Sequence, residues 1–122
     1  MLWVLYHLDE PRDAVAEGRR VLRRGRLLAA CASSRTNDPE LVPGGYPRTT
    51  FDAEEAADIV SDVFGVSNVE VERWDAPLVH LDDREEVAAY ARSHLLPPSV
   101  AEAVIPPVTL TKRGCLVWAR RP

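Results

Sequence analysis

Six consecutive apolar residues, Leu27-Leu28-Ala29-Ala30-Cys31-Ala32, constrain this chain more than any other feature of it. The run has the length of a strand, shows no polar alternation, and ends at Ser33-Ser34. A strand with one wet face alternates apolar and polar residues. An unbroken run belongs in a sheet covered on both faces, and helices usually supply that cover. A helical signal lies just ahead of it. Asp9 is placed to cap, and Pro11 falls in the first turn, where its missing N–H does no harm. Ala14, Val15, Gly18, Val21 and Leu22 then recur at three- and four-residue spacing until Gly25 stops the helix.

After the run, residues 35–50 contain three prolines and two glycines and read as a loop, long enough to be functional or mobile. The pattern predicts a second helix over Ala53–Phe64. Asp52 and Glu55 resemble a capping box, Phe51 can staple onto Ala56, and Gly65 closes it. Val69 and Val71 alternate with Glu70 and Glu72, predicting a strand over Val69–Trp74. A third helix starts after Asp82-Asp83, with Glu85 and Glu86 in its first turn. Its inner face is Val87, Ala88, Ala91 and Leu95, and Pro97-Pro98 end it. Ser99–Ile105 reads as a short helix. Val108–Leu110, a turn at Lys112-Arg113-Gly114, and a last strand Cys115–Ala119 complete the chain. Met1–Leu8 is apolar enough for a short buried strand, though it carries Tyr6 and His7. Helices and strands alternate throughout, so the fold class is α/β.

A chain of 122 residues, 46% apolar, is one small domain with a real core. Its net charge of -4 argues against a nucleic-acid partner held through phosphates. The cluster Arg19, Arg20, Arg23, Arg24 and Arg26 reads as the solvated, basic end of a helix. No apolar run approaches the roughly 20 residues that span a bilayer. Met1–Leu8 lacks the basic start and small-residue cleavage site of a signal peptide. A cytoplasmic protein without a membrane partner is expected, with Cys31 and Cys115 as buried free thiols. His80 near Asp82 and Asp83 has no second histidine at ligand spacing, so no metal is expected and the acids read as helix caps. No nucleophile–base arrangement has support beyond the presence of the residue types.

One longer stretch carries more information. Leu5-Tyr6-His7-Leu8-Asp9-Glu10-Pro11, followed by Ala14, Val15, Glu17 and Arg19-Arg20-Val21-Leu22-Arg23, resembles a segment of the class I S-adenosylmethionine-dependent methyltransferases that act on small molecules. There a similar segment follows the fourth strand, and a helix ending "RRVLRPGG" leads into the fifth. Here Arg23-Arg24-Gly25-Arg26 replaces that ending. By the same resemblance Leu27–Ala32 is strand five, Ala53–Phe64 the next helix, Val69–Trp74 strand six, and Lys112-Arg113-Gly114-Cys115 to Arg121 the closing strand, antiparallel to its neighbours. Such a strand is a permitted variant in a parallel sheet.

The resemblance implies the C-terminal half of a Rossmann-like methyltransferase sheet, strands five to seven with the last antiparallel, as a single partial domain over residues 1–122. The glycine-rich turn after strand one and the acidic residue after strand two, which hold most of the cofactor, have no counterpart here. It follows that S-adenosylmethionine is bound at best weakly by this chain, and that the isolated chain is inactive. The segment after strand four places Leu2, Trp3 and Tyr6 beside the cofactor. His7 is the candidate for orienting or deprotonating a small-molecule acceptor, since histidine changes charge near neutral pH. Ser33, Arg35 and Asn37, with Ser34 and Asp38, follow strand five at the carboxyl edge, where open α/β sheets bind ligands. The alternative is a non-catalytic binding or regulatory module, a methyltransferase remnant. Its open strand-five edge would recruit a second copy or a partner chain.

Overall fold

The computed structural model describes every residue from Met1 to Pro122. Its principal elements are α1 (Pro11–Val21), β1 (Leu27–Ser33), α2 (Ala56–Phe64), β2 (Val69–Leu81), α3 (Arg84–Ser93), α4 (Pro98–Glu102) and β3 (Val108–Arg120). The protein is a small α/β structure with a three-stranded antiparallel sheet in the order β1-β3-β2. β1 and β3 run antiparallel in a register from Leu27↔Arg120 to Ser33↔Gly114. On its other side β1 receives a single parallel bridge, Leu2↔Cys31. No helix is long and apolar enough to cross a membrane.

Two compact units divide the chain. The first comprises Met1–Arg35, Pro47–Trp74 and Gly114–Pro122, the second Thr36–Tyr46 and Asp75–Arg113. β2 and β3, 13 residues each, contribute a segment to both. In the first unit, strand alternation directs Leu28, Ala30 and Ala32 of β1 and Cys115, Val117 and Ala119 of β3 into one core. Val15 of α1, Val60 and Phe64 of α2, and Phe51 fill the other side of that core. Phe51 and Ala56 are both buried there, but Ala56 opens α2 instead of standing at its fourth position, so the expected staple does not form. The second unit has its own smaller core of Leu41, Leu81, Val87, Val104 and Leu110.

Local chemistry explains where the elements start and stop. Pro11 is the first residue of α1, but Glu10 holds the capping position without a side-chain bond, so Asp9 does not cap. Asp83 does cap α3. Its carboxylate accepts the Glu86 N–H at 2.9 Å, while the Glu86 carboxylate reaches back to the Asp82 N–H at 2.7 Å. Asp83→Ala is expected to lower stability by about 1 kcal/mol, read as a shift in urea midpoint. Gly65 ends α2 at φ 86, a conformation that side chains resist.

Several elements differ from the sequence expectation, each for a physical reason. Met1–Leu8 forms no strand beyond the Leu2 bridge, because the chain turns at once into a 3-10 turn, Leu5–His7. α2 starts at Ala56 rather than Ala53. Asp52 turns its carboxylate to Thr49 instead of capping, and its backbone carbonyl accepts from Glu55 and Ala56. β2 runs past Trp74 to Leu81. A proline would interrupt a central strand, but Pro77 is tolerated in β2, which is an edge strand of this sheet. Lys112-Arg113-Gly114 has turn composition yet lies inside a continuous β3. The Lys112 ammonium pairs with Asp38 and the Arg113 N–H donates to the Asn37 side chain, so tertiary partners override the local signal. Val21 and Leu95, placed on helix inner faces by periodicity, are 63% and 93% exposed. α3 ends before Leu95, which takes φ 56, and Leu96 packs on the second core in its place.

Candidate functional site

In the first unit, the segment before α1 presents most of the expected cofactor-side residues. Leu5 is 1% exposed and anchors the 3-10 turn in the core. That anchor leaves its neighbours facing outward: Leu2 is 58% exposed and Trp3 52%, Trp3 standing at φ 47. The Tyr6 and His7 rings lie 4.1 Å apart at 42°, and no hydrogen bond engages either ring nitrogen of His7. The Thr50 hydroxyl donates to the Leu8 carbonyl at 2.7 Å and ties the segment to the loop before α2. Exposed aromatic faces of this kind attract cations, and an unengaged imidazole can exchange a proton with a ligand.

The end of β1 is held differently. The Ser33 carbonyl accepts from the Ala53 N–H at 3.0 Å, and the Ser34 hydroxyl donates to Glu54 at 2.5 Å. The Arg35 guanidinium lies 3.0 Å from Glu55, 3.6 Å from Glu54 and 3.7 Å from Asp52, with Arg48 3.4 Å from Glu55. Asp52, Glu54 and Glu55 hold carboxylate oxygens within 4.8 Å of one another, a spacing open to a cation. Arg35 already stands among them, with Arg48 beside Glu55, so the cluster is a partly charge-compensated clasp between β1 and the start of α2.

Burial pushes the Glu54 carboxyl up, but the Ser34 hydroxyl, nearby backbone N–H groups and Arg35 outweigh it and leave Glu54 below its ordinary value. A carboxyl depressed by folding stabilises the native state above its unfolded pKa and loses that contribution as pH falls through its folded one. Wild-type stability is therefore expected to decline as pH drops below the ordinary carboxylate value of 4.5. Ser34→Ala should flatten that decline in urea titrations run across the acid range.

In the second unit, Asn37 does not face a ligand space. It is 6% exposed, and Asp38 beside it is 0% exposed at φ 51. Asp38 Oδ2 accepts from the Asn37 amide at 3.0 Å, the Tyr46 hydroxyl at 3.0 Å and the Tyr90 hydroxyl at 3.1 Å. Oδ1 accepts from Lys112 Nζ at 2.7 Å, and Nζ also reaches the Tyr90 oxygen at 2.6 Å. Burial first, and then the Asp38 charge, push both tyrosine hydroxyls well above their ordinary range. Both phenols therefore stay protonated as donors. The four partners surround one buried carboxylate and leave it fully engaged.

Of the sequence-derived candidates, Tyr6 and His7 touch, and Leu2 and Trp3 share their exposed segment. Ser33 and Arg35 follow β1, Arg35 already bound by acids. The Asn37 carbonyl and amide are taken by Arg113 and Asp38. His80 pairs with Asp82 at 3.0 Å. Tyr46, Tyr90 and Lys112 have no sequence signal tying them to Asp38, from which they lie 8, 52 and 74 residues away.

No protein-family model matches this chain, and no curated protein is similar to it in sequence.

Proposed function

We propose that this chain corresponds to strands five to seven of a class I S-adenosylmethionine-dependent methyltransferase acting on a small molecule, and that these 122 residues alone do not transfer a methyl group. The supporting observation is the strand arrangement. The last strand lies antiparallel between the other two, and the segment ahead of α1 bridges β1 in parallel before α1 crosses over to it. A closing strand antiparallel to its neighbours, and a strand-four end feeding a helix into strand five, are what the sequence resemblance implies.

The residues present suit only the reactive end of the cofactor. Trp3 and Tyr6 offer exposed aromatic surface to a sulfonium cation, but there is no glycine-rich turn through which backbone could approach the remainder. When bound, S-adenosylmethionine supplies an electrophilic methyl group. Trp3, Tyr6 and Leu2 then exclude water from one side of it. His7 orients an acceptor hydroxyl or amine and takes its proton at a ring nitrogen. Ser33 remains an acceptor-side candidate, while Arg35 and Asn37 serve chiefly to hold the loops around them.

A non-catalytic module that pairs with a second copy or another chain is the second reading, favoured by one observation. β1 is the other edge strand of the sheet, and Leu2, Trp3 and Leu27 beside it are about half exposed. Intact mass and methyl transfer, measured on the protein from its natural source, separate the two. A chain longer by about one half-domain, on the order of 100 residues, that transfers label from S-adenosylmethionine supports the enzyme. A 122-residue dimer without transfer supports the module.

A further inference from the structure

In the second unit, α3 and α4 enclose a cleft of about 280 Å³ that none of the foregoing uses. Its floor is apolar, built from Ala88 and Ala91 of α3, Ala101 of α4, and Leu96 between them. Ala91 is 2% exposed, so the floor is continuous with the core of that unit. The rim is charged: Arg84, Arg92 and Glu102 line the same space. Neither guanidinium takes part in an ion pair or hydrogen bond, and neither does the Glu102 carboxylate. Arg84 and Arg92 are eight residues apart on α3, about 12 Å along the axis, and so flank the alanine floor.

We infer that this cleft binds a small organic monoanion, a carboxylate carried on a short alkyl or aryl body. The two unpaired arginines set the sign of the ligand, since a planar guanidinium fork matches a carboxylate and is weakly hydrated. Glu102 on the same rim opposes a second negative charge, leaving the rim at a net single positive charge. The apolar floor calls for an apolar body and discriminates against sugar phosphates. The volume lies just under the roughly 300–1,000 Å³ of ordinary ligand pockets, which suits a small ligand. The cleft lies wholly within the second unit, so this inference stands apart from the methyltransferase reading.

Sodium octanoate titrated into the ¹⁵N-labelled 122-residue chain provides the test, with octylammonium and inorganic phosphate as comparison probes. Octanoate is expected to move the amide signals of Ala88, Ala91 and Ala101 saturably, with octylammonium at least about tenfold weaker and phosphate without effect there. Arg84 and Arg92 are exposed, so the double variant Arg84→Gln/Arg92→Gln keeps the fold, and it should lose affinity about tenfold or more. Equal binding of octylammonium would mean a merely greasy groove and would overturn the inference. Phosphate binding in place of octanoate, unchanged affinity in the double variant, or no saturable shift at those alanines would overturn it equally.

Discussion

Asp38→Ala is expected to lower the stability of this protein by about 3–5 kcal/mol, more than any other single polar substitution in it. The carboxylate is fully buried and accepts from four groups on three separate stretches of the second unit: Asn37 and Tyr46 in the loop, Tyr90 on α3 and Lys112 on β3. Removing it leaves an ammonium, 21% exposed, beside two phenols that burial keeps protonated. Each phenol has then lost its acceptor, and the ammonium keeps only the Tyr90 oxygen. Asp38→Asn keeps the shape and removes the charge. Asparagine accepts the left-handed backbone that Asp38 adopts but turns one acceptor oxygen into an NH2 group facing a donor, so its loss, about 2 kcal/mol or more, reports the lost charge together with that mismatch. Urea denaturation of both variants measures the difference. A loss below about 1 kcal/mol for Asp38→Ala would show that the network does not hold the unit together.

Gly114→Ala tests the first unit in the same assay. Gly114 sits opposite Ser33 in the β1–β3 ladder, with the Trp74 indole laid against it. An added Cβ would overlap the Trp74 ring and stand 2.6 Å from the Ala32 carbonyl oxygen. Backbone cannot give way as a flexible side-chain tip can, so the expected loss is about 3 kcal/mol, at the upper end for overpacking. Gly44→Ala is the control, because no atom lies within 4 Å of its added Cβ. It should change stability by no more than about 0.5 kcal/mol. Equal effects at the two glycines would mean that Trp74 does not pack as described.

The fold was legible wherever a periodic signal and a burial requirement agreed. Leu27–Ala32 reads as a strand and forms one, with Leu28, Ala30 and Ala32 on the core face. Asp83 and Glu86 mark the start of α3, and Gly65 the end of α2, through side-chain and backbone chemistry that is local in sequence. The errors fall where distant partners decide. Lys112-Arg113-Gly114 has the composition of a turn. Only Asp38 and Asn37, more than 70 residues away, make it the middle of a strand. β2 likewise runs past the Val69–Trp74 alternation to Leu81, and nothing local tells that a strand holding Pro77 lies at the edge of its sheet.

The candidate site divides along the same line. Trp3, Tyr6 and His7 stand outward because Leu5 among them is buried, a consequence of the five-residue stretch from Trp3 to His7 that the sequence displays. Asn37 and Arg35 look available in a polar loop, yet Asn37 is held by Arg113 and Arg35 by Glu55, groups that sequence spacing does not bring near. A polar residue in a loop is as often a structural tie as a ligand contact, and which it is depends on the partners folding delivers.

The central claim, that the segment before α1 is the remnant of a cofactor site, is tested most directly by titrating S-adenosylmethionine into the ¹⁵N-labelled chain. The expected result is weak, saturable binding, with a dissociation constant well above the micromolar range, that moves the Trp3 indole signal together with Tyr6 and His7. Submicromolar affinity would contradict the claim, because these residues suit only one end of the cofactor. So would the absence of any shift at Trp3, Tyr6 and His7 at millimolar cofactor, which would leave that segment as an exposed apolar surface with no tie to methyl transfer.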